Sequence, residues 1–313
     1  MKPFLLLFIF CASLFADAHI LCYHRFDDPK PKYKHTNISS KKFSQQIESL
    51  KSEGYKFASL SSVVTSLKNK KPIGDKVIVI TIDDAYKSFY DYAFPILKAQ
   101  KIPFTLFAYT DAINNKYKDY MNWEQIKEAS KYGDIQLHSH AHKDLTKLTA
   151  DELKKDTAEG IASFEKNMGY KPKLYAIPFG IYNLAVKNSL KASGFEAIMT
   201  VDAGAVNGAS DIYQLERIAI DEGTDFKLAL GVKPLDITLQ KPVGDLEKII
   251  KGTVQNYSGK TIKMYVAKGD VRTLELKNGT FEAKIDMAKV NSKQKLIFYS
   301  EGHRYRAKLI EKD

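Results

Sequence analysis

A disulfide-stapled scaffold is excluded at once, because the chain has two cysteines, Cys11 and Cys22. Long apolar runs are also missing, with one exception at the start. There Lys2 precedes Phe4-Leu5-Leu6-Leu7-Phe8-Ile9-Phe10, and small residues lead to Ala16-Asp17-Ala18. A basic start, a short apolar run and an Ala-x-Ala site read as a secretory signal peptide over residues 1–18, cleaved after Ala16 or Ala18. An uncleaved anchor is the other reading, but the run is short for a membrane span. No second run follows, so the rest is expected to be soluble and exported, either periplasmic or extracellular. Cleavage leaves Cys22 alone, expected as a buried strand residue. Acidic charge is scarce. The net charge is +11, and from Lys241 onward 16 Lys and Arg face 9 Asp and Glu. That surplus favours an anionic wall or membrane surface as a partner, although a generally basic proteome explains it equally well. Nothing resembles a nucleic-acid module, so no nucleic-acid partner is expected. Internal repeats and low-complexity linkers are absent.

What is present centres on Val77-Ile78-Val79-Ile80-Thr81-Ile82, which reads as a strand buried on both faces. It ends in two adjacent carboxylates, Asp83 and Asp84. A helix N-cap would account for one acid. Two at the tip of a buried strand call for a cation or a proton. The segment Leu137-His138-Ser139-His140-Ala141-His142 holds three of the chain's seven histidines. His138 and His142, with one carboxylate, would form a His-His-Asp set that leaves positions open for water and substrate. A divalent metal ion is therefore expected, zinc first, with cobalt, nickel or iron as alternatives. A solvated loop is the metal-free alternative. His140 is expected at the surface rather than as a surplus ligand.

Strands and helices alternate up to about residue 232. Ser39 or Ser40 caps a helix with Phe43, Ile47 and Leu50 on one face. Thr149-Ala150-Asp151-Glu152 is a capping box for a helix running to Met168, with Gly169 as its stop. Strands are expected at 103–109, 135–137, 174–177 and 197–201. This rhythm implies an α/β fold with a parallel sheet. Beyond Gly231-Val232-Lys233-Pro234 the pattern becomes short alternating runs, with a strong hairpin turn at Lys277-Asn278-Gly279-Thr280. It reads as a small antiparallel β-sandwich over residues 235–313. Its aromatic residues are expected in the core rather than on a sugar-binding face.

Thr81-Ile82-Asp83-Asp84-Ala85 resembles the Thr-Phe-Asp-Asp-Gly motif of the polysaccharide deacetylases with NodB homology. His138-Ser139-His140-Ala141-His142 is similar to their His-Ser/Thr-x-x-His motif, and Ala176-Ile177-Pro178-Phe179-Gly180 to their Arg-x-Pro-Tyr-Gly motif. Ala85, Phe179 and Ala176 depart from the family's Gly, Tyr and Arg, and no late Leu-x-His segment is found. One branch, the permuted deacetylases of poly-β-1,6-N-acetylglucosamine, carries an early Tyr-His-Arg segment and an Ala-x-Pro-Phe/Tyr-Gly motif. Ile20-Leu21-Cys22-Tyr23-His24-Arg25-Phe26 is similar to that segment.

The resemblance spans residues 19–232. It implies a distorted (β/α) barrel catalytic domain and a metal-dependent N-deacetylase acting on an N-acetylated glycan. Asp84, His138 and His142 are then the expected ligands, Asp83 the general base and His24 the acid for the leaving amine. Backbone near Pro178, Phe179 and Gly180 would hold the oxyanion, and Arg217 would pair with Asp83 in place of the missing motif arginine. His24 as a buried structural histidine is the alternative. Cyclic amide hydrolysis on the same scaffold, or glycan binding by a decayed site, are the competing functions.

Overall fold

The computed structural model describes residues 17–28, 30–240, 247–267, 270–286, 290, 295–300 and 304–309. The stretch before Asp17 that reads as a signal peptide, Cys11 included, and His303 lie outside these residues.

Seven strands form the path of a parallel sheet: β1 (Ala18–Tyr23), β2 (Val77–Ile82), β3 (Phe104–Ala108), β4 (Asp134–Leu137), β5 (Leu174–Ala176), β6 (Ala197–Met199) and β7 (Ile218–Ala219). Their order is β7-β1-β2-β3-β4-β5-β6, with a short strand, Lys56–Phe57, also paired to β2. The sheet curls into a distorted barrel, and one parallel bridge, Met199 to Leu215, spans the gap between its two ends. Every residue of β1 and β2 is buried, which is why both read as continuous apolar runs.

Alternation along β2 decides what faces where. Ile78, Ile80 and Ile82 pack outward with Phe43, Ile47 and the other helix faces. Val77 and Val79 join Ile20, Phe107, Ala176 and Met199 in a second core. The helix Leu60–Lys68 packs its apolar face into this inner core through Leu60, Val63, Val64 and Leu67. Continuing the inward register past Thr81 puts Asp83 over the barrel mouth. The capping box expected at Thr149 and Glu152 forms, and the helix Ala150–Met168 ends at Gly169 in the left-handed conformation.

The C-terminal region is built from two further sheets. The strands are β8 (Lys233–Pro234), β9 (Ile237–Leu239), β10 (Glu247–Val254), β11 (Thr261–Ala267), β12 (Asp270–Glu275), β13 (Thr280–Asp286), β14 (Lys295–Ser300) and β15 (Arg304–Leu309). A five-stranded sheet runs β8-β15-β14-β11-β12, and a three-stranded one β9-β10-β13. Leu235, Ile250, Met264, Phe281, Ile285 and Phe298 fill the core between them. Asn278 and Gly279 both adopt positive φ, as a two-residue hairpin turn requires. One feature departs from an all-antiparallel sandwich. β8 pairs parallel to the last strand, β15, so the chain entering this region is stitched to the chain leaving it.

Candidate active site

The carboxylates and histidines meet at the C-terminal ends of the barrel strands, the usual place for barrel chemistry. Asp83 and Asp84 follow β2 directly and are 2% and 5% exposed. Asp83 stays in the sheet's register through its N–H, which donates to the Tyr23 carbonyl at 2.9 Å. Asp84 then turns into the left-handed region, φ 72°, which swings its carboxylate away from Asp83's. Ala85 follows at φ 59°, at the position where glycine would carry no Cβ penalty.

Asp84 Oδ1 lies 2.9 Å from His142 Nε2 and 3.3 Å from His138 Nε2, and the two imidazole nitrogens are 3.2 Å apart. His138 Nδ1 donates to the Ala176 carbonyl at 2.8 Å. That bond fixes the tautomer and leaves Nε2 with a free lone pair. Asp84 Oδ1 is fully buried, yet no hydrogen-bond donor is aimed at it. A buried carboxylate oxygen without a well-aligned hydrogen bond, facing two imidazole nitrogens, is costly as it stands and fits a divalent cation. Asp84, His138 and His142 are thus able to hold one together, and the donor chemistry matches a catalytic site with open positions. Burial raises the Asp84 carboxyl's pKa, but the two histidines outweigh this and hold it well below its ordinary value.

The histidine loop is shaped from behind. His142 N–H donates to Ser139 Oγ at 2.9 Å, and both residues have positive φ. Asp156, 6% exposed on the helix Ala150–Met168, accepts from the Ala141 N–H at 2.8 Å and the His140 N–H at 3.3 Å. One turn on, a Cβ at Gly160 would sit 3.3 Å from the His140 nitrogen, so the loop rests closely on the helix there. Asp156 and Gly160 carried no signal in the sequence, where an acid and a glycine inside a helix read as solvent face. His140 points away from Asp84: its Nδ1 lies 3.0 Å from Thr110 Oγ1, and its Nε2 is 3.9 Å from both Asp111 and Glu159.

Asp83 belongs to a different charge system. Arg217, fully buried, grips it with two parallel bonds, Nη1 to Oδ1 and Nη2 to Oδ2, both 2.7 Å. Arg217 Nε also donates to the Thr200 carbonyl at 2.7 Å. Burial alone would raise the Asp83 pKa, but the guanidinium, with His138 beside it, reverses this and lowers it to about 2. Ala176 stands at the motif-arginine position, and Arg217, directly before β7, supplies the guanidinium instead. Cys22 Sγ sits 3.5 Å from Asp83 Oδ2. A ring nitrogen of His24, Cys22 Sγ and an Asp83 oxygen lie within 4.8 Å of one another. This second cluster is a poor cation site, because Arg217 already neutralises Asp83 and burial pushes the Cys22 thiol well up. Burial also lowers the His24 pKa, with Asp83 and Asp84 opposing the shift.

Phe179 sits on the short turn Pro178–Gly180 with φ 58° and is 57% exposed, its ring centroid 4.6 Å from that of His142. Gly180 N–H donates to the Ile177 carbonyl. Asp84, Ala85, Ser139, His142 and Phe179 all hold positive φ at this one rim, the kind of clustered backbone strain found at functional sites.

Residues 70–198 match the model of the polysaccharide deacetylase family. Over that stretch, which carries Asp83, Asp84, His138 and His142, the chain is similar to that family. Among its relatives, the poly-β-1,6-N-acetyl-D-glucosamine N-deacetylase of Staphylococcus epidermidis is 28% identical over 201 residues, 60% of this chain and 69% of its own. The structure of IcaB from Ammonifex degensii aligns with a TM-score of 0.60 at 27% identity, over 69% of this chain and 96% of its own. A Streptococcus pyogenes deacetylase, PplD, solved with acetate, shares the fold with a TM-score of 0.63 at 24% identity, over 69% of this chain and 97% of its own. These two deacetylase structures are almost fully spanned, so about a third of this chain has no counterpart in them.

Proposed function

We propose that this protein is an exported, metal-dependent N-deacetylase that removes acetyl groups from N-acetylhexosamine residues of a polysaccharide, exopolysaccharide or peptidoglycan. One observation carries the reading. A ligand triad of Asp84, His138 and His142 stands beside a second carboxylate, Asp83, that Arg217 keeps out of the triad and ionised. A cation held by the triad, zinc by its two-nitrogen, one-oxygen donor set, would polarise the acetyl carbonyl and acidify a water. Asp83 takes that water's proton. The Phe179 N–H offers a hydrogen bond to charge developing on the carbonyl oxygen. The leaving amine needs a proton, and His24, across the mouth beside Asp83, supplies it. For that role His24 takes its proton from solvent before the amine leaves, an uptake that burial opposes and the neighbouring Asp83 and Asp84 favour. The exposed face of Phe179 gives a sugar ring a place to rest.

Acetate release tests this reading, measured on poly-β-1,6-N-acetylglucosamine, peptidoglycan and a cyclic amide, with and without chelator. Chelator-sensitive acetate release from a glycan supports it. Opening of the cyclic amide, or glycan binding with no acetate released, would replace it with one of the two competing functions.

His24→Ala is expected to lower turnover by roughly 10²–10⁴, with fold and metal content retained. The alkaline limb of the pH–rate profile should change, because it reports the acid, and the acidic limb should survive in the residual activity. Near-normal turnover would assign the proton to water or another group.

The two cleavage sites would leave different N-termini on β1. Ala18 pairs with Val77 at the start of β1, and Asp17 lies 3.1 Å from Lys233. His19, buried on β1, bonds the Val232 carbonyl at 2.8 Å through Nε2. We expect cleavage after Ala16, which leaves β1 whole, rather than after Ala18, which removes its first residue. N-terminal sequencing of the exported protein would show Asp17 first, and a mature chain starting at His19 would refute it.

A further inference from the structure

The segment that delivers Arg217 has little regular structure of its own. Between β6 and β7 the chain runs from Thr200 to Arg217 with only isolated bridges, Ala18 to Val206 and Met199 to Leu215. Yet Arg217 must hold Asp83 to within a few tenths of an ångström in two bonds at once. Backbone bonds to Ala18 and Ile198 tie the middle of the segment to the barrel, and side chains from the C-terminal strands hold the residues flanking Arg217. Arg306 on β15, 3% exposed, donates from Nη1 to Glu216 Oε1 at 2.8 Å and to Ser210 Oγ at 2.9 Å. Its Nη2 reaches Asn207 Oδ1 at 3.3 Å, and its Nε donates to the Leu235 carbonyl at 3.1 Å. Gln214 Nε2 donates to the Ala307 carbonyl at 2.9 Å. At the segment's other end, Lys295 on β14 pairs with Asp202, whose carbonyl accepts from the Arg217 N–H at 3.1 Å. Glu216, directly before Arg217, is 1% exposed and its Oε2 has no hydrogen-bond partner, so Arg306 is what compensates this buried carboxylate.

We infer that the C-terminal β domain is a clamp for the catalytic centre, and that Arg306 is a positioning residue that seats Arg217 against Asp83 through Glu216. Surface charges placed for solubility would not bury a guanidinium across two domains and use nearly all its donors. Ala176 occupies the motif-arginine position, and the substitute, Arg217, arrives on a segment that the C-terminal strands help to anchor. This inference rests on the deacetylase reading only for its kinetic arm.

The full-length chain tests it with Arg306→Ala, Arg306→Lys and Lys295→Met. In Arg306→Ala the ligands on β2 and the histidine loop are untouched, so metal content should match wild type. Turnover should fall by about 10²-fold, the scale expected when a reacting group is displaced by about an ångström, with KM little changed. Arg306→Lys should restore part of the loss. Independently of any substrate, the guanidinium N–H signals of Arg217, assigned by Arg217→Lys in ¹⁵N-labelled protein, should lose their protection from solvent exchange in Arg306→Ala. If Arg306→Ala does not accumulate folded, Lys295→Met carries both measurements from the other end of the clamp. Unchanged Arg217 signals together with unchanged kcat in a folded variant would overturn the inference and leave Arg306 a domain-joining residue. Absent acetate release in the wild type, with the Arg217 signals responding as expected, would strike the deacetylase reading and leave the clamp standing.

Discussion

Asp83→Asn should lower turnover by about 10²–10⁴ while the protein keeps its full metal content. The substitution preserves shape and one hydrogen bond to Arg217 but removes the group that accepts a proton. Asp84→Asn should behave differently. Asp84 Oδ1 faces both His138 Nε2 and His142 Nε2, so losing its charge should empty the site of metal as well as stop turnover. The two variants differ by one position and one predicted readout, metal content after purification. Loss of metal from Asp83→Asn with retention in Asp84→Asn would exchange the two roles.

Arg217→Met is expected to have the largest effect on stability. Asp83 is 2% exposed, and its neutralising partner is fully buried. Removing one member of a buried pair strands the other and costs about 3–5 kcal/mol. The pH dependence carries the sign. In the wild type the Asp83 pKa is lowered to about 2, so this group stabilises the fold above its ordinary carboxylate pKa, and that contribution fades as pH falls toward 2. Without Arg217, burial dominates and raises the pKa, so protonation relieves the stranded charge. Arg217→Met should therefore be most destabilised at neutral pH, and the gap to wild type should narrow as pH drops toward 4. Denaturant unfolding of metal-stripped protein at several pH values measures this, since stripping removes the pH dependence of ion binding. A gap independent of pH would mean that the loss is one of packing alone. Turnover should also fall by at least about 10²-fold, because the two Arg217 bonds no longer hold the Asp83 carboxylate in place for proton transfer.

The parts of this molecule legible in the sequence were those with short-range signatures. β1 and β2 announced themselves as unbroken apolar runs because both their faces are covered. The ligand triad was legible because three histidines crowd into one loop and two acids end one strand. Capping residues such as Thr149 and Glu152 act within four positions. Arg217 could be suggested only because a motif arginine was missing, since nothing near it in the chain marks it as buried. Asp156, Glu216, Lys295 and Arg306 were illegible for the same reason. Their partners lie 15 to 99 positions away, and an isolated charge in a sequence reads as surface. The single parallel pairing of β8 with β15 was hidden likewise, because a two-residue strand has no periodicity.

β1 lies between β2 and β7, strands drawn from opposite ends of the barrel sequence. Cys22 pairs with Thr81 on one side and with Ala219 on the other. The first strand to emerge during synthesis is therefore completed last. Local units such as the hairpin at Asn278 or the helix Ala150–Met168 need no distant partner. Closure of the barrel edge is a high-contact-order event, and long loops must be drawn in before it returns any binding energy. A nascent chain cut short between His142 and Arg217 would carry all three ligand side chains and, in Asp83, a carboxylate with no guanidinium partner. Catalytic competence thus arrives at the end of folding rather than growing in along the way.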